Sequence, residues 1–84
     1  MFEVRLTKKP LKYIKRIPEK VRQTLIICFE KLEETPFLVA EPLHGPLKGK
    51  WKITVGDLMV IVSIDIDRKV IKVFYIGHRG DAYK

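Results

Sequence analysis

Residues 51–62 read WKITVGDLMVIV, and this stretch decides the fold. Two β-rich runs flank Gly56 and Asp57, a pair that suits a tight turn because both residue types tolerate positive φ. If these two residues form the whole loop, Val55 faces Leu58 and alternate side chains share one face of the hairpin. The apolar face then carries Trp51, Ile53, Val55, Leu58, Val60 and Val62. The mixed face carries Lys52, Thr54, Met59 and Ile61. Any site on this hairpin is therefore expected on the mixed face.

The composition is that of one small basic domain. The chain has 84 residues, and we assign all of them, residues 1–84, to a single domain. Its 17 Lys and Arg outnumber its 10 Asp and Glu, and the net charge of +7 favours nucleic acid or an acidic protein as partner. No apolar run approaches the ~20 residues that span a bilayer, and Met1 begins no signal peptide, so no membrane partner is expected. The single cysteine, Cys28, cannot form an internal disulfide, which favours the cytosol.

The first half of the chain predicts a strand and two helices. Alternation over residues 2–7 indicates a half-buried strand. Thr7 is expected to cap a short helix whose apolar stripe includes Leu11 and Ile14, and a second amphipathic helix runs from about residue 18 to 34. The helices are closely joined, so they should form an αα-hairpin. The exposed side of the first helix carries Lys8, Lys9, Lys12, Lys15 and Arg16. A solvated face and contact with nucleic acid both explain these charges.

The second half predicts a long loop and three strands. Pro and Gly interrupt residues 35–50, where no regular element is expected, and the loop ends in a basic run beside Trp51. The last strand, residues 70–76, should place Ile71, Val73 and Tyr75 on the core side. Phe74, Ile76 and His78 should share the mixed face. The predicted fold is α+β, in the order β-α-α-β-β-β. An antiparallel sheet carries the N-terminal αα-hairpin on one face, and the other face stays partly open.

Three steps of the sequence, taken in this order, carry a resemblance to a known family. LKGKWKI at residues 47–53 fits a Leu-x-Gly-x-(Trp/Tyr)-(Arg/Lys)-(Ile/Val) step, and GDLMV at 56–60 stands where a Gly-Asp-Tyr-Arg-Val hairpin is typical. HRGDAY at 78–83 fits a His-Arg-x-x-x-Tyr step at the C-terminal end of the pattern. Over almost its whole length the chain resembles the RelE/ParE toxin superfamily of prokaryotic type II toxin–antitoxin systems. The RelE branch looks closer because of the closing Arg79 and Tyr83.

The resemblance implies a RelE-like fold and a function. RelE-like toxins are ribosome-dependent mRNA endoribonucleases that cut the message in the decoding site and so stop translation, without a metal or other cofactor. A small acidic RelB-like antitoxin wraps and silences them, which implies a cytoplasmic toxin–antitoxin hetero-oligomer. Metal-free cleavage requires removal of the 2′-hydroxyl proton, fixed cations that hold the phosphorane charge, and a proton for the leaving 5′-oxygen.

Carried over by position, the resemblance assigns catalytic roles to three residues. Lys52 would hold charge, Arg79 would bind the scissile phosphate, and Tyr83 would act as base or orient the attack. His78 is a further acid–base candidate because His titrates near neutral pH, although a strand-end residue bonded to backbone is the favoured interpretation. The expected RNA contacts are Lys48, Lys50, Lys52 and Arg79.

Two positions depart from the RelE pattern. Thr54 and Met59 stand where basic residues are expected, and they should lie opposite each other on the mixed face. Loss of two fixed cations costs roughly several kcal/mol of transition-state stabilisation, judged from single-donor effects. Three interpretations therefore stay open: a RelE-like nuclease with weakened activity, a ParE-like toxin that binds DNA gyrase without cleaving RNA, and an inactive member that only binds an antitoxin.

Overall fold

A computed structural model describes residues 1–78 of the chain. The elements are β1 (Glu3–Leu6), α1 (Lys8–Arg16), α2 (Glu19–Glu34), α3 (Pro36–Val39), β2 (Glu41–Pro42), a 3₁₀ turn (Gly45–Leu47), β3 (Trp51–Val55), β4 (Leu58–Asp65) and β5 (Val70–His78). One five-stranded sheet has the order β1-β5-β4-β3-β2. The predicted α+β fold, with a helical layer on one face of a sheet, is confirmed. The sheet is antiparallel except at its edge, where β1 runs parallel to β5.

The helices bury the stripes that face the sheet. In α2, the predicted amphipathic character is confirmed: Leu25 and Leu32 are fully buried, and they pack with Cys28 in the main core. In α1, the predicted stripe is wrong at Leu11, which is 45% exposed. Thr7 precedes α1, but its side chain makes no cap hydrogen bond. Its hydroxyl instead donates to a β5 carbonyl at 2.8 Å, so it ties the start of the helix to the sheet.

The β3–β4 hairpin has the predicted register. Val55 pairs with Leu58, and Thr54 pairs with Met59 across a two-residue turn. Gly56 takes a φ of 58°, a left-handed conformation that glycine adopts without strain. The apolar face of the hairpin contributes Ile53, Leu58, Val60 and Val62 to the main core beneath the helices. We call this side of the sheet the helix face, and the opposite side, which carries Lys52, Ser63 and Lys72, the outer face.

An irregularity in β5 changes the predicted faces of its second half. Val62 pairs with Val73, but Ile61 pairs with Tyr75, so β5 has one extra residue, Phe74, at this point. Such a bulge shifts the alternation of all later side chains. Tyr75 therefore packs on the outer face and Ile76 in the main core, the reverse of the prediction.

The segment 35–50 is more ordered than its composition indicates. It contains α3, β2 and the 3₁₀ turn, so the expectation of no regular element is wrong. β2 pairs with the start of β3, and the Leu43 amide donates to the Lys50 carbonyl at 2.9 Å. Leu43 and Leu47 fold over the outer face, where they cover Met59 and Ile61 in a second small core. The part of the outer face nearest β2 is therefore closed.

Candidate functional site

Lys52 lies on the outer face on β3, next to the edge strand β2. It pairs with Ile61 of β4, which in turn pairs with Tyr75 of β5, so these three side chains form one row across the sheet. The Lys52 Nζ is 3.9 Å from the Glu41 Oε2, and about a third of the lysine side chain is exposed. An ion pair this long and this exposed holds the ammonium loosely. Lys52 can therefore leave Glu41 to meet an anion on the outer face.

The β5 bulge places two aromatic rings side by side on the outer face. Phe74 is 39% exposed, and the Lys50 Nζ lies 4.2 Å from the centre of its ring. The ring of Tyr75 lies over Gly77, where an added Cβ would stand 2.3 Å from the Tyr75 hydroxyl oxygen. Glycine at position 77 thus makes room for the tyrosine ring. This part of the face combines aromatic rings with cations, as single-strand nucleic-acid surfaces do.

A polar hollow of about 160 Å³ opens on the outer face at the β1 side. Its lining residues are Arg5, Ser63, Asp65, Arg68, Val70 and Lys72. Arg5 pairs with Lys72 and Lys72 with Ser63, so these side chains come from three neighbouring strands. The Arg68 amide donates to the Asp65 Oδ1 at 3.0 Å, which fixes the β4–β5 turn. Three cations and one carboxylate line the hollow, so its charge favours an anion.

The two positions that depart from the RelE pattern lie in opposite environments. Thr54 is exposed, whereas Met59, its cross-strand partner, is only 3% exposed. Met59 packs with Leu43 and Ile61 in the second small core. A charged side chain at position 59 could not reach water there. A basic residue at this position would therefore require different packing of the surrounding residues, and not only the exchange of one side chain.

His78 lies on the helix face, so the prediction that it shares a face with Lys52 is wrong. It pairs with Leu58, a residue of the main core, because the bulge has shifted the alternation. It lines a cavity of about 460 Å³ between the helices and the β3–β4 turn, together with Tyr13 and Ile17. A role for His78 beside Lys52 has no support from this arrangement.

Two of the other predicted site residues, Lys48 and Lys50, lie among the described residues. Lys48 is exposed after the 3₁₀ turn, and Lys50 is half-buried beside Phe74. Arg79 and Tyr83 lie outside the described residues, so their roles stay predictions. Lys52, Arg79 and Tyr83 are thus not seen together.

The remaining candidates for chemistry lie away from the outer face. Burial raises the pKa of the Cys28 thiol, which is therefore a poor nucleophile near neutral pH. Among residues 1–78, no three His, Cys, Asp or Glu side chains come together as metal ligands. No helix in the same part of the chain is long and apolar enough to cross a membrane.

The sequence interpretation missed several residues that shape the outer face. Tyr75 was expected in the core, and Arg5, Arg68 and Lys72 were not considered as a group. Alternation cannot reveal a bulge, and residues from three strands meet only once the sheet order is known. The one available signal was the Phe74–Tyr75 pair itself, two adjacent aromatic residues in a strand with a glycine, Gly77, near its end.

A family of known proteins matches nearly the whole sequence. The matching family model is described as "ParE toxin of type II toxin-antitoxin system, parDE", and the match covers residues 4–83. The chain belongs to this toxin family. It is thus a type II toxin–antitoxin toxin with a RelE/ParE fold, as its resemblance to that superfamily predicted. A comparison with curated protein sequences gives no match.

Solved structures show the same fold for this toxin. The chain is similar to one in the RelBE2 toxin–antitoxin complex of Mycobacterium tuberculosis, with a TM-score of 0.85, 22% identity, and coverage of 93% of this chain and 98% of that one. A chain of the archaeal RelE–RelB complex of Pyrococcus horikoshii gives 0.78, 24%, 96% and 98% for the same measures. The isolated RelE toxin of E. coli gives 0.78, 20%, 93% and 84%. At these identities the likeness establishes the fold.

Proposed function

We propose that this toxin is a ribosome-dependent mRNA endoribonuclease. The observation that carries the proposal is the outer face, where Lys52, two aromatic rings and further cations lie on the side of the sheet that the helices leave free. Such a surface suits a single RNA strand, because cations meet phosphates and rings meet bases. The resemblance to RelE-like sequences supplies the remaining residues, Arg79 and Tyr83.

Cleavage would proceed by attack of the 2′-oxygen on the adjacent phosphorus. In the proposed step, Tyr83 reacts as its phenolate and takes the 2′-hydroxyl proton, the new 2′-oxygen–phosphorus bond forms, and the bond to the 5′-oxygen breaks. Lys52 and Arg79 hold the charge of the phosphorane, and the leaving 5′-oxygen takes a proton from water. The step yields a 2′,3′-cyclic phosphate and a 5′-hydroxyl, and it consumes no cofactor.

The partner we propose is an acidic RelB-like antitoxin. A chain of similar fold from Pyrococcus horikoshii is found in a RelE–RelB complex, and the net charge of +7 on this toxin favours an acidic partner. The toxin and its antitoxin would form a hetero-oligomer in the cytoplasm, where the proposed substrates, ribosomes and mRNA, also lie.

The test of this function is cleavage of mRNA on programmed ribosomes. Lys52→Ala should reduce the cleavage rate by about 100-fold, the scale on which removal of one charge-stabilising group acts, whereas Lys52→Arg should retain most of it. Lys20→Ala is a matched control, because Lys20 lies on α2 in the helical layer. Cleavage should require ribosomes. It should persist when the toxin is first treated with EDTA and is then added to ribosomes kept intact with Mg²⁺. If Lys52→Ala cleaves as fast as the parent, the assigned site is wrong.

A second candidate function is ParE-like inhibition of DNA gyrase without RNA cleavage. The observation that favours it is the burial of Met59, which leaves the centre of the outer face one cation short of the RelE pattern and unable to take one. Inhibition of DNA supercoiling by purified gyrase, together with intact mRNA in the ribosome assay, would select this function. A chain that does neither, yet binds an acidic antitoxin, would be an inactive member.

A further inference from the structure

We propose that the outer face carries a single-strand RNA path that extends away from Lys52. On this path Phe74 stacks against one base, and the hollow formed by Arg5, Arg68 and Lys72 binds a backbone phosphate. The inference rests on the proposed nuclease function and adds to it the route of the substrate strand. The stacking residue Phe74 and the hollow residues Arg5, Arg68 and Lys72 lie outside the set of expected RNA contacts given by the sequence.

Phe74 has the position and exposure of a stacking surface. The bulge turns its ring to the outer face, where it stays partly exposed although the sheet has a large core to receive it. The Lys50 ammonium covers the ring at 4.2 Å. Stacking of a base on an aromatic ring contributes more binding free energy than an exposed cation–π contact does, so a base can displace Lys50. The freed ammonium then lies next to the incoming strand, where a phosphate can accept its hydrogen bonds.

The hollow has the charge and the donors that a phosphate requires. Arg5 and Lys72 stand on adjacent strands, ~4.8 Å apart at the backbone, and Ser63 adds a hydroxyl donor from the next strand. The Arg5 guanidinium also pairs with Glu3, but both side chains are more than half exposed, so the pair is weak and can open. Asp65 is engaged by the turn amide of Arg68. The cations therefore outweigh the carboxylate that faces them.

The hollow, the ring and Lys52 lie on the same face of the sheet, between β1 and β3. Lys72 and Phe74 are two residues apart on β5, ~7 Å along the strand, and Lys52 lies beyond them on β3, two strands away. An extended strand bound at Lys52 can therefore pass over Phe74 and reach the hollow. An acidic peptide would also meet the cations, but the carboxylates that meet them would not stack on the exposed ring between them, whereas each RNA nucleotide carries both a phosphate and a base. RNA is the occupant that uses both.

The experiment measures binding of a short, fluorescent, 2′-O-methylated RNA, which cannot be cleaved by 2′-oxygen attack. Phe74→Ala should bind it about 10-fold more weakly, and Phe74→Tyr, which keeps the ring, should bind it like the parent. Lys72→Gln should weaken binding and reduce the slope of log K against log salt by about 0.7, the value for one phosphate contact on a single strand. Lys20→Gln, on the helical layer, should change neither. Thermal melting of each variant reports whether it folds.

The outcomes separate this inference from the proposed function. Parent-like RNA binding by folded Phe74→Ala would overturn the stacking role, and an unchanged salt slope in Lys72→Gln would overturn the phosphate site. Binding of the modified RNA with the expected losses, but no mRNA cleavage on ribosomes, would refute the nuclease and leave the path in place. If an acidic peptide binds and RNA does not, the outer face is a protein-binding surface and the inference is wrong.

Discussion

Individual residues on the outer face differ in whether their surroundings accept a charge. Thr54 and Met59 are cross-strand partners, yet solvent reaches the first and the second small core encloses the other. Both stand where the RelE pattern has basic residues. The pattern alone treats the two positions as equivalent, but the free energy of placing a cation differs between them, because one charge stays hydrated and the other loses its water.

Arginine should be tolerated at one of these positions and not at the other. We expect Met59→Arg to lower the free energy of unfolding by roughly 3 kcal/mol or more, since it buries an unpaired charge among Leu43 and Ile61. Thr54→Arg should change it by less than about 0.5 kcal/mol, as exposed substitutions do. Urea denaturation measures both, and Met59→Leu is the volume-matched control, expected within about 1.5 kcal/mol of the parent.

The same pair also tests the proposed cleavage site. Thr54→Arg should raise the rate of mRNA cleavage, because it adds a fixed cation to the face that carries Lys52. Thr54→Gln, which is polar but uncharged, should not. Equal stability losses for the two arginine variants would show that Met59 is not enclosed as described, and equal cleavage by Thr54→Arg and Thr54→Gln would remove position 54 from the site.

Among the secondary-structure elements, those governed by local pattern were predictable and those governed by tertiary contact were not. The β3–β4 register follows from alternation and a two-residue turn, and both are visible in the sequence. The bulge at Phe74 leaves no mark in a period-two pattern. β2 exists only because Glu41 meets Lys52 across the sheet, and Met59 is buried only because Leu43 and Leu47 fold over it. The sequence therefore predicted the position of Lys52 on the outer face, but not the arrangement around Phe74.

The second half of β5 should depend on the absence of a side chain at Gly77. Gly77→Ala should lower the free energy of unfolding by about 1–3 kcal/mol, because the new methyl would overlap the Tyr75 ring. In a Tyr75→Ala background the same change should cost much less, since the overlapping atoms are gone. A double-mutant cycle by thermal or urea unfolding measures this coupling. If the two costs simply add, the ring does not lie over Gly77.

Across the whole molecule, basic charge is divided between two opposite sides. The outer face carries the cations around Lys52 and the hollow, and α1 carries five more on the far side of the helical layer. Within residues 1–78, the ion pairs involve Arg5, Arg22 and Lys52, and none involves α1. On the proposed function, two separate positive surfaces would allow the toxin to contact a short RNA strand and a large polyanion at the same time.

Charge removal on α1 should therefore separate ribosome binding from RNA-strand binding. We expect the double variant Lys12→Gln and Lys15→Gln to bind ribosomes more weakly, by up to about 10-fold at low salt, and with a smaller salt slope. The same variant should bind the short modified RNA like the parent, because α1 is separated from the outer face by the sheet. Cosedimentation with ribosomes and fluorescence anisotropy measure the two affinities. Unchanged ribosome binding would show that α1 presents only a solvated face.

The parallel pairing of β1 with β5 also affects how the toxin is made. The Thr7 hydroxyl and the Val73 carbonyl that it binds are 66 positions apart in the chain. Pairing at such separation is slow to form, and during synthesis β1 has no partner strand until residues 70–78 have emerged. A nascent chain that ends before β5 has neither the Phe74 ring nor the strand that lies between β1 and β4 in the sheet. The ribosome that translates this toxin is therefore exposed to a complete outer face only after β5 has been synthesised.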